Sequence, residues 1–148
     1  RVLELGGDAG FNYHTHDFVE EVFRATGGEG VDAIEDFIGA EYLMRNIALL
    51  RETGCLVLVG ILGGSIGSFD VRPMFRKRLR ICGFTLRAQS VDDKRAVVRR
   101  FRETWLPLLD AGTVKPVIHA AVPFDEAKRA HEIMEANENL GKVIITIE

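Results

Sequence analysis

Two strand-like runs end in glycine. Val31-Asp32-Ala33-Ile34-Glu35-Asp36 leads into Phe37-Ile38-Gly39, and Cys55-Leu56-Val57-Leu58-Val59 leads into Gly60-Ile61-Leu62-Gly63-Gly64. Glycine lets a backbone approach a ligand closely, and in an open parallel sheet ligands lie outside the carboxyl ends of the strands. Two such strand ends in succession fit one nucleotide cleft; they fit a pair of tight turns equally well. The dinucleotide fingerprint G-x-G-x-x-G is absent, since Gly64 and Gly67 match its last two positions but Leu62 occupies the first. A phosphate-binding P-loop is absent too. No Ser-His-Asp set or carboxylate dyad has suitable spacing. His14 and His16 have no Cys or carboxylate companions spaced for a metal, so they are expected in a solvated loop. His119, in a short apolar run, and His131, on an Ala/Met helix face, are expected to pack structurally. The expected set of catalytic acids and bases and of metal ligands is therefore empty.

The elements that must position these glycines follow from periodicity. Arg1 to Gly7 reads as the last turns of a helix with a glycine cap. Asp17, with Glu20 three residues on, opens a short amphipathic helix closed by Gly27-Gly28. A strand over 31–36 is followed by a helix marked by Leu43, Ile47 and Leu50, which stops near Gly54. The apolar run at 55–59 is the next strand. A loop containing Arg72-Pro73 leads to a third strand at about 79–86. Ser90 caps a long helix with a buried stripe of Val97, Phe101, Trp105 and Leu108-Leu109, kinked at Pro107 and ended by Gly112. Strands at 117–122 and 143–147 flank a helix capped by Asp125. Strands alternating with helices predict an α/β fold with a parallel sheet.

At 148 residues, with 47% hydrophobic and 28% charged residues, the chain can bury a core of its own. No apolar run is long enough to span a membrane and no signal-peptide pattern opens the chain, so a soluble, cytoplasmic protein is expected. Cys55 and Cys82 lie in apolar runs and are expected as buried, free thiols that react slowly. The net charge of −3 hides an asymmetry: residues 72–102 hold eleven basic against two acidic side chains, a net +9, and the rest carries −12. That suggests a nucleic-acid surface, but no exposed aromatics are interleaved. Arg95, Arg99 and Arg102 recur as on the solvated face of a helix, so no nucleic-acid partner is expected.

The segments GFNYHTHDFVEEVFRATGGEGVDAIEDFIG, CLVLVGILGG, RICGFTLRAQS and AHEIMEANENLGKVIITIE, in this order, resemble the zinc-independent, NADPH-dependent quinone oxidoreductases of the medium-chain dehydrogenase/reductase superfamily. The likeness is to the zeta-crystallin-like branch, nearest its p53-inducible subgroup, and it runs through nearly the whole sequence. It implies hydride transfer from NADPH to a quinone or enone, with the cofactor carrying the chemistry. By resemblance, Tyr13 lies near the adenosine 2′-phosphate. Gly39 and the loop Gly60, Ile61, Leu62, Gly63 and Gly64 pass the nicotinamide ribose. Phe84, Thr85 and Leu86 face the carboxamide, and Asn139, Gly141 and Lys142 fold back over the cofactor.

The resemblance further implies an incomplete, doubly wound Rossmann-type sheet lacking its first two strands, followed by helix-strand-helix-strand elements. Residues 1–89 would belong to the dinucleotide-binding domain and 90–148 to the segment completing the catalytic domain. In the family a GroES-like domain and the glycine-rich first strand precede the matched region, so this chain is expected to be a C-terminal portion that binds NADPH weakly and is inactive alone. The strand around Asn12-Tyr13 would stand apart from strand 31–36, leaving the latter an exposed apolar edge. The 79–86 strand is expected to join a second copy across a two-fold axis in a homodimer. A non-catalytic binding or dimerisation module is the alternative reading.

Overall fold

The computed structural model describes residues 1–137 and 139–147. The chain falls into two compact units, Arg1–Ala88 and Gln89–Glu148.

The first unit opens with a 3₁₀ turn at Leu3–Leu5, closed by Gly6 in the left-handed region, whose N–H donates to the Leu3 carbonyl. The expected glycine cap is present. Residues 12 and 13 form no strand: Asn12 anchors a turn, its carbonyl accepting from the N–H groups of Thr15 and His16 and its Oδ1 from that of His14. An Asn side chain bonding to the backbone two residues on competes with extended pairing, which accounts for the correction. Helix α1 (Phe18–Ala25) follows, with the Asp17 carboxylate accepting from the N–H groups of Val19 and Glu20.

Strand β1 (Val31–Asp36), helix α2 (Leu43–Leu49), strand β2 (Leu50–Leu58), helix α3 (Val71–Arg76) and strand β3 (Arg80–Gly83) complete the unit. The sheet order is β1-β2-β3, parallel throughout, with Ile34 beside Leu56 and Leu56 beside Ile81. The parallel α/β expectation holds. The central strand carries the core, where Leu50 and Leu56 meet Ile47 of α2 and Leu79, and Val31, Ile34, Met74 and Ile81 pack around them. Edge strand β1 is less apolar than expected, because Asp32 and Glu35 are exposed along it.

Two boundaries differ from the sequence reading. Helix α2 ends at Leu49 rather than near Gly54, since Leu50 is already extended and begins β2. Lys77 makes that ending possible: its ammonium donates to the carbonyls of Ile47 (3.2 Å), Ala48 (2.8 Å) and Leu50 (2.7 Å). The loop expected around Arg72-Pro73 contains helix α3. Pro73 sits in its first turn, where a missing N–H costs nothing, and Asp70 caps it through the Arg72 N–H.

In the second unit, Ser90 caps helix α4 (Val91–Thr104), and the chain breaks at Trp105 into helix α5 (Leu106–Asp110), one turn before Gly112. Strand β4 (Ile118–Pro123), helix α6 (Ala127–Glu135) and strand β5 (Lys142–Thr146) follow, with β4 and β5 parallel. A 3₁₀ turn at Phe124–Glu126 precedes α6, and the Asp125 side chain makes no capping bond there. The stripe expected to be buried on α4 and α5 lies open, Phe101 at 51% and Trp105 at 48% exposure. Within this unit helix α4 packs mainly against α5, whereas it is α6 that covers the β4-β5 pair. His131 is exposed as well, because Ala130, one residue round the helix, is the position α6 turns inward. Among the described residues, no helix is long and apolar enough to cross a membrane.

Candidate functional site

The carboxyl ends of β1 and β2 do not simply stop at their last ladder pair, Asp36 with Leu58. Beyond it the two loops stay zipped together. The Val59 N–H donates to the Asp36 carbonyl (2.7 Å), Leu62 to Phe37 (3.0 Å), Gly63 to Ile38 (2.7 Å), and Ala40 to Gly64 (3.0 Å). The glycines are what this contact requires. A Cβ on Gly39 would stand 2.8 Å from the Gly64 carbonyl oxygen, one on Gly60 2.8 Å from that of Phe37, and one on Gly63 2.7 Å from Ile38 Cγ2. Gly39 and Gly64 also hold φ of 90° and 107°, which L side chains rarely adopt. The tight-turn reading and the close-approach reading thus apply to different glycines: Gly60 and Gly63 serve loop packing, and the Cβ position of Gly64 opens onto free space.

The third strand end joins this edge. Beyond β3, the Phe84 N–H donates to the Leu58 carbonyl (2.9 Å), which sets Phe84, Thr85 and Leu86 next to the end of β2. The side chains presented by these loops are apolar, with Phe37, Ile61, Leu62, Ile66, Phe84 and Leu86 all exposed and Leu62 at 81%. The fold therefore brings together Gly39, Gly60 through Gly64 and Phe84 through Leu86. Such a rim, apolar side chains over interlocked backbone, offers a flat apolar surface to a ligand. Residues 36 and 41 are the acidic neighbours of the loops. Asp36 is turned inward, and Glu41 Oε2 lies 2.9 Å from where a Gly63 Cβ would be.

Tyr13 stands in the separate exposed turn before α1, its ring against that of His14 with centroids 4.2 Å apart and planes tilted by 40°. Beside it, the N-terminus of α1 is tied to α2 through Arg45, whose guanidinium pairs with Asp17 (2.8 Å) and lies 4.2 Å over the Phe18 ring. Desolvation pushes the Asp17 carboxyl upward, but the hydrogen bonds from Arg45, Val19 and Glu20 outweigh it and hold the group below its ordinary value.

Asn139, Gly141 and Lys142 belong to the second unit. Asn139 Nδ2 donates to the Gly141 carbonyl (2.8 Å), and the Leu140 N–H donates to His119 Nδ1 (3.3 Å). Gly141 is required where it is, with φ of 97° and the Val117 carbonyl against the place a side chain would take. With Ala130, His131 and Met134 these residues line a cavity of about 350 Å³.

The cysteines depart from expectation: both are free, but Cys55 is half-buried and Cys82 exposed, because β3 is an edge strand. Desolvation, then the hydrogen bond shared with Cys55, pushes the Cys82 thiol up, against a smaller pull from Arg80. The basic segment divides between the two units, and Arg72, Arg78 and Arg95 pair with Asp70, Glu52 and Asp92. Among the described residues no cluster of three or more His, Cys, Asp or Glu could hold a metal. Asp36, which is buried, was not singled out in the sequence, although an acidic residue ending β1 two places before Ile38 is a visible signal.

A parallel α/β sheet with apolar, glycine-bearing loops at its carboxyl edge is part of a Rossmann-type nucleotide-binding fold. Residues 5–145 match the sequence profile of the zinc-binding dehydrogenases, and the chain belongs to that family, within the medium-chain dehydrogenase/reductase superfamily. It is 26% identical to a quinone oxidoreductase of Rattus norvegicus over 99% of this chain and 43% of that protein. It is also 26% identical to a 2-haloacrylate reductase of Burkholderia, over 96% of this chain and 43% of that protein. The crystal structure of Escherichia coli quinone oxidoreductase complexed with NADPH shares the fold, with a TM-score of 0.80 at 24% identity over 98% of this chain and 45% of that one. The chain spans less than half the length of the curated relatives it matches.

Proposed function

We propose that this chain is the cofactor-binding part of an NADPH-dependent oxidoreductase that reduces quinones or activated enones. The observation that carries the reading is the edge formed by Gly39, Gly60–Gly64 and Phe84, where three successive strand ends offer an exposed apolar rim. NADPH, when bound, supplies the hydride. The residues of this chain bind and orient it: Tyr13 takes the adenosine end, Ile61, Leu62 and Phe84 flank the nicotinamide, and Thr85 and Leu86 offer backbone to its carboxamide. In this reading the part of the chain in the reaction is to orient the cofactor.

The similarity to a quinone oxidoreductase and a 2-haloacrylate reductase supports an electron-poor double bond or carbonyl as the hydride acceptor. Zinc-independence, a cytoplasmic setting and a homodimer formed through the 79–86 edge are parts of the same proposal. The two free thiols suit a reducing compartment. The test is NADPH oxidation by the protein expressed from its entire reading frame, with para-benzoquinone and an acyclic enone as acceptors, after exhaustive chelation of zinc. Turnover that survives chelation and prefers NADPH to NADH is expected; no reduction of either acceptor would overturn the reading.

A further inference from the structure

Asp36 is 4% exposed, yet its carboxylate meets no cation among the described residues. Its partners are backbone amides: Oδ1 accepts from the N–H groups of Ile38 (2.7 Å) and Gly39 (3.3 Å), and Oδ2 from that of Gly39 (3.2 Å). A buried carboxylate is costly, and a buried position at a strand end would be filled more cheaply by valine or leucine. What the carboxylate gains is control of the turn. By gathering two successive N–H groups it bends residues 37–39 back and holds Gly39 at its φ of 90°.

That turn is the template for the neighbouring loop. Phe37 and Ile38 direct their carbonyls at the amides of Leu62 and Gly63, and Ala40 directs its N–H at the Gly64 carbonyl. The strand register, by contrast, is fixed by backbone pairs that do not involve the Asp36 side chain, such as Ile34 with Leu56.

We propose that Asp36 is a positioning residue that sets the conformation of the Gly60–Gly64 loop through the Phe37–Gly39 turn, and so fixes the surface on which a nicotinamide is to lie. The link to nicotinamide rests on the cofactor reading above; the link between Asp36 and the loop does not. Removing the carboxylate frees two amides, and the loop then loses its template while the sheet stays intact. Asparagine, whose Oδ1 can accept the same amides, preserves it.

The experiment is site-resolved amide hydrogen exchange on the 148-residue chain, comparing the wild type with Asp36→Ala and Asp36→Asn. In Asp36→Ala the amides of Ile38, Gly39, Leu62 and Gly63 are expected to exchange at least tenfold faster, while those of Ile34 and Leu56 keep their protection; Asp36→Asn restores the wild-type pattern. Equal acceleration across β1 and β2, no acceleration in the loop, or asparagine behaving as alanine overturns the proposal. Should Asp36→Ala fail to fold, Asp36→Ser, which keeps one acceptor near the turn, is read by the same criteria. A second arm titrates reduced nicotinamide mononucleotide and follows the amide shifts of Gly60–Gly64. Shifts in the wild type and Asp36→Asn, lost in Asp36→Ala, are expected. Their absence from the wild type sinks the cofactor reading and leaves the exchange result to decide the role of Asp36.

Discussion

A side-chain carbon on Gly60 would stand 2.8 Å from the carbonyl oxygen of Phe37, a separation that real Cβ atoms essentially never show. The obstacle is backbone, held from both sides by the Val59 to Asp36 and Leu62 to Phe37 bonds, so it cannot rotate away. Gly60→Ala is expected to destabilise the chain by roughly 1–3 kcal/mol, the range for forcing atoms into a packed site. Gly83→Ala is the control, because a Cβ there meets nothing within 4 Å. Urea unfolding of both variants decides the matter, and equal midpoints would refute the loop contact.

Lys77 spends its ammonium on three carbonyls where α2 gives way to β2. Lys77→Met keeps much of the stem but leaves those acceptors without their donor. A loss of about 1.5–3 kcal/mol is expected, as for a hydrogen bond to a charged group. Desolvation lowers the Lys77 pKa from its ordinary 10.5. Between the lowered value and 10.5 the unfolded chain binds more protons than the folded one, so wild-type stability should rise relative to Lys77→Met as pH climbs through that window. Paired urea titrations at neutral and alkaline pH check both the size and the sign.

Much of the first unit was legible because its signals are local. Asp17 before Phe18, the strand-like run from Val31 to Asp36 and the apolar run from Cys55 each act within a few residues. What sequence could not supply is tertiary: Lys77, far along the chain, ends α2, and Asn12 competes locally with the strand expected around Tyr13. The apolar stripe of α4 has the right period for burial, but period says only that a face is apolar and not which element covers it. The glycines of the site were visible as a pattern. Which of them pack against the neighbouring loop and which face open space depends on the turn set by Asp36, and no spacing rule contains that.

Cys82 is exposed, but its sulfur points back at the Leu56 carbonyl, 3.7 Å away. A thiol whose pKa is raised by desolvation and by Cys55 holds less thiolate at neutral pH, and thiolate is the nucleophile. Alkylation of Cys82 by iodoacetamide should therefore be slower at neutral pH than in the urea-unfolded chain, with its half-maximal rate displaced to higher pH. A pH–rate profile that coincides with the unfolded one would show that exposure alone governs the site.

Strand β3 is an edge of its sheet, with Arg80 and Cys82 exposed along it. An open edge is a template for pairing, and like edges related by a two-fold axis satisfy each other. Sedimentation equilibrium at high micromolar concentration is expected to find a dimer. A monomer under those conditions removes the homodimer from the proposal.

Tyr13 and the Gly60–Gly64 loop should fail in different ways when changed. Tyr13 is 59% exposed and lies tilted against His14, in a turn pinned by Asn12 and not by the strand-end loops. If it holds the adenosine end of NADPH, its contacts are the same in the ground and transition states, and uniform binding of that kind appears in KM. Tyr13→Ala, in the protein expressed from its entire reading frame, should raise the KM for NADPH about tenfold, corresponding to about 1.4 kcal/mol, with kcat nearly unchanged. Gly63→Val should behave otherwise, because its side chain would be driven into Ile38 and Glu41, displacing the loop proposed to lie beside the reacting ring. Misplacement of a hydride donor costs turnover, so there kcat should fall. Steady-state kinetics with saturating quinone separate the two patterns. A Tyr13 variant that loses turnover at saturating NADPH, beside a Gly63 variant that does not, would place the cofactor in the opposite orientation along the sheet edge.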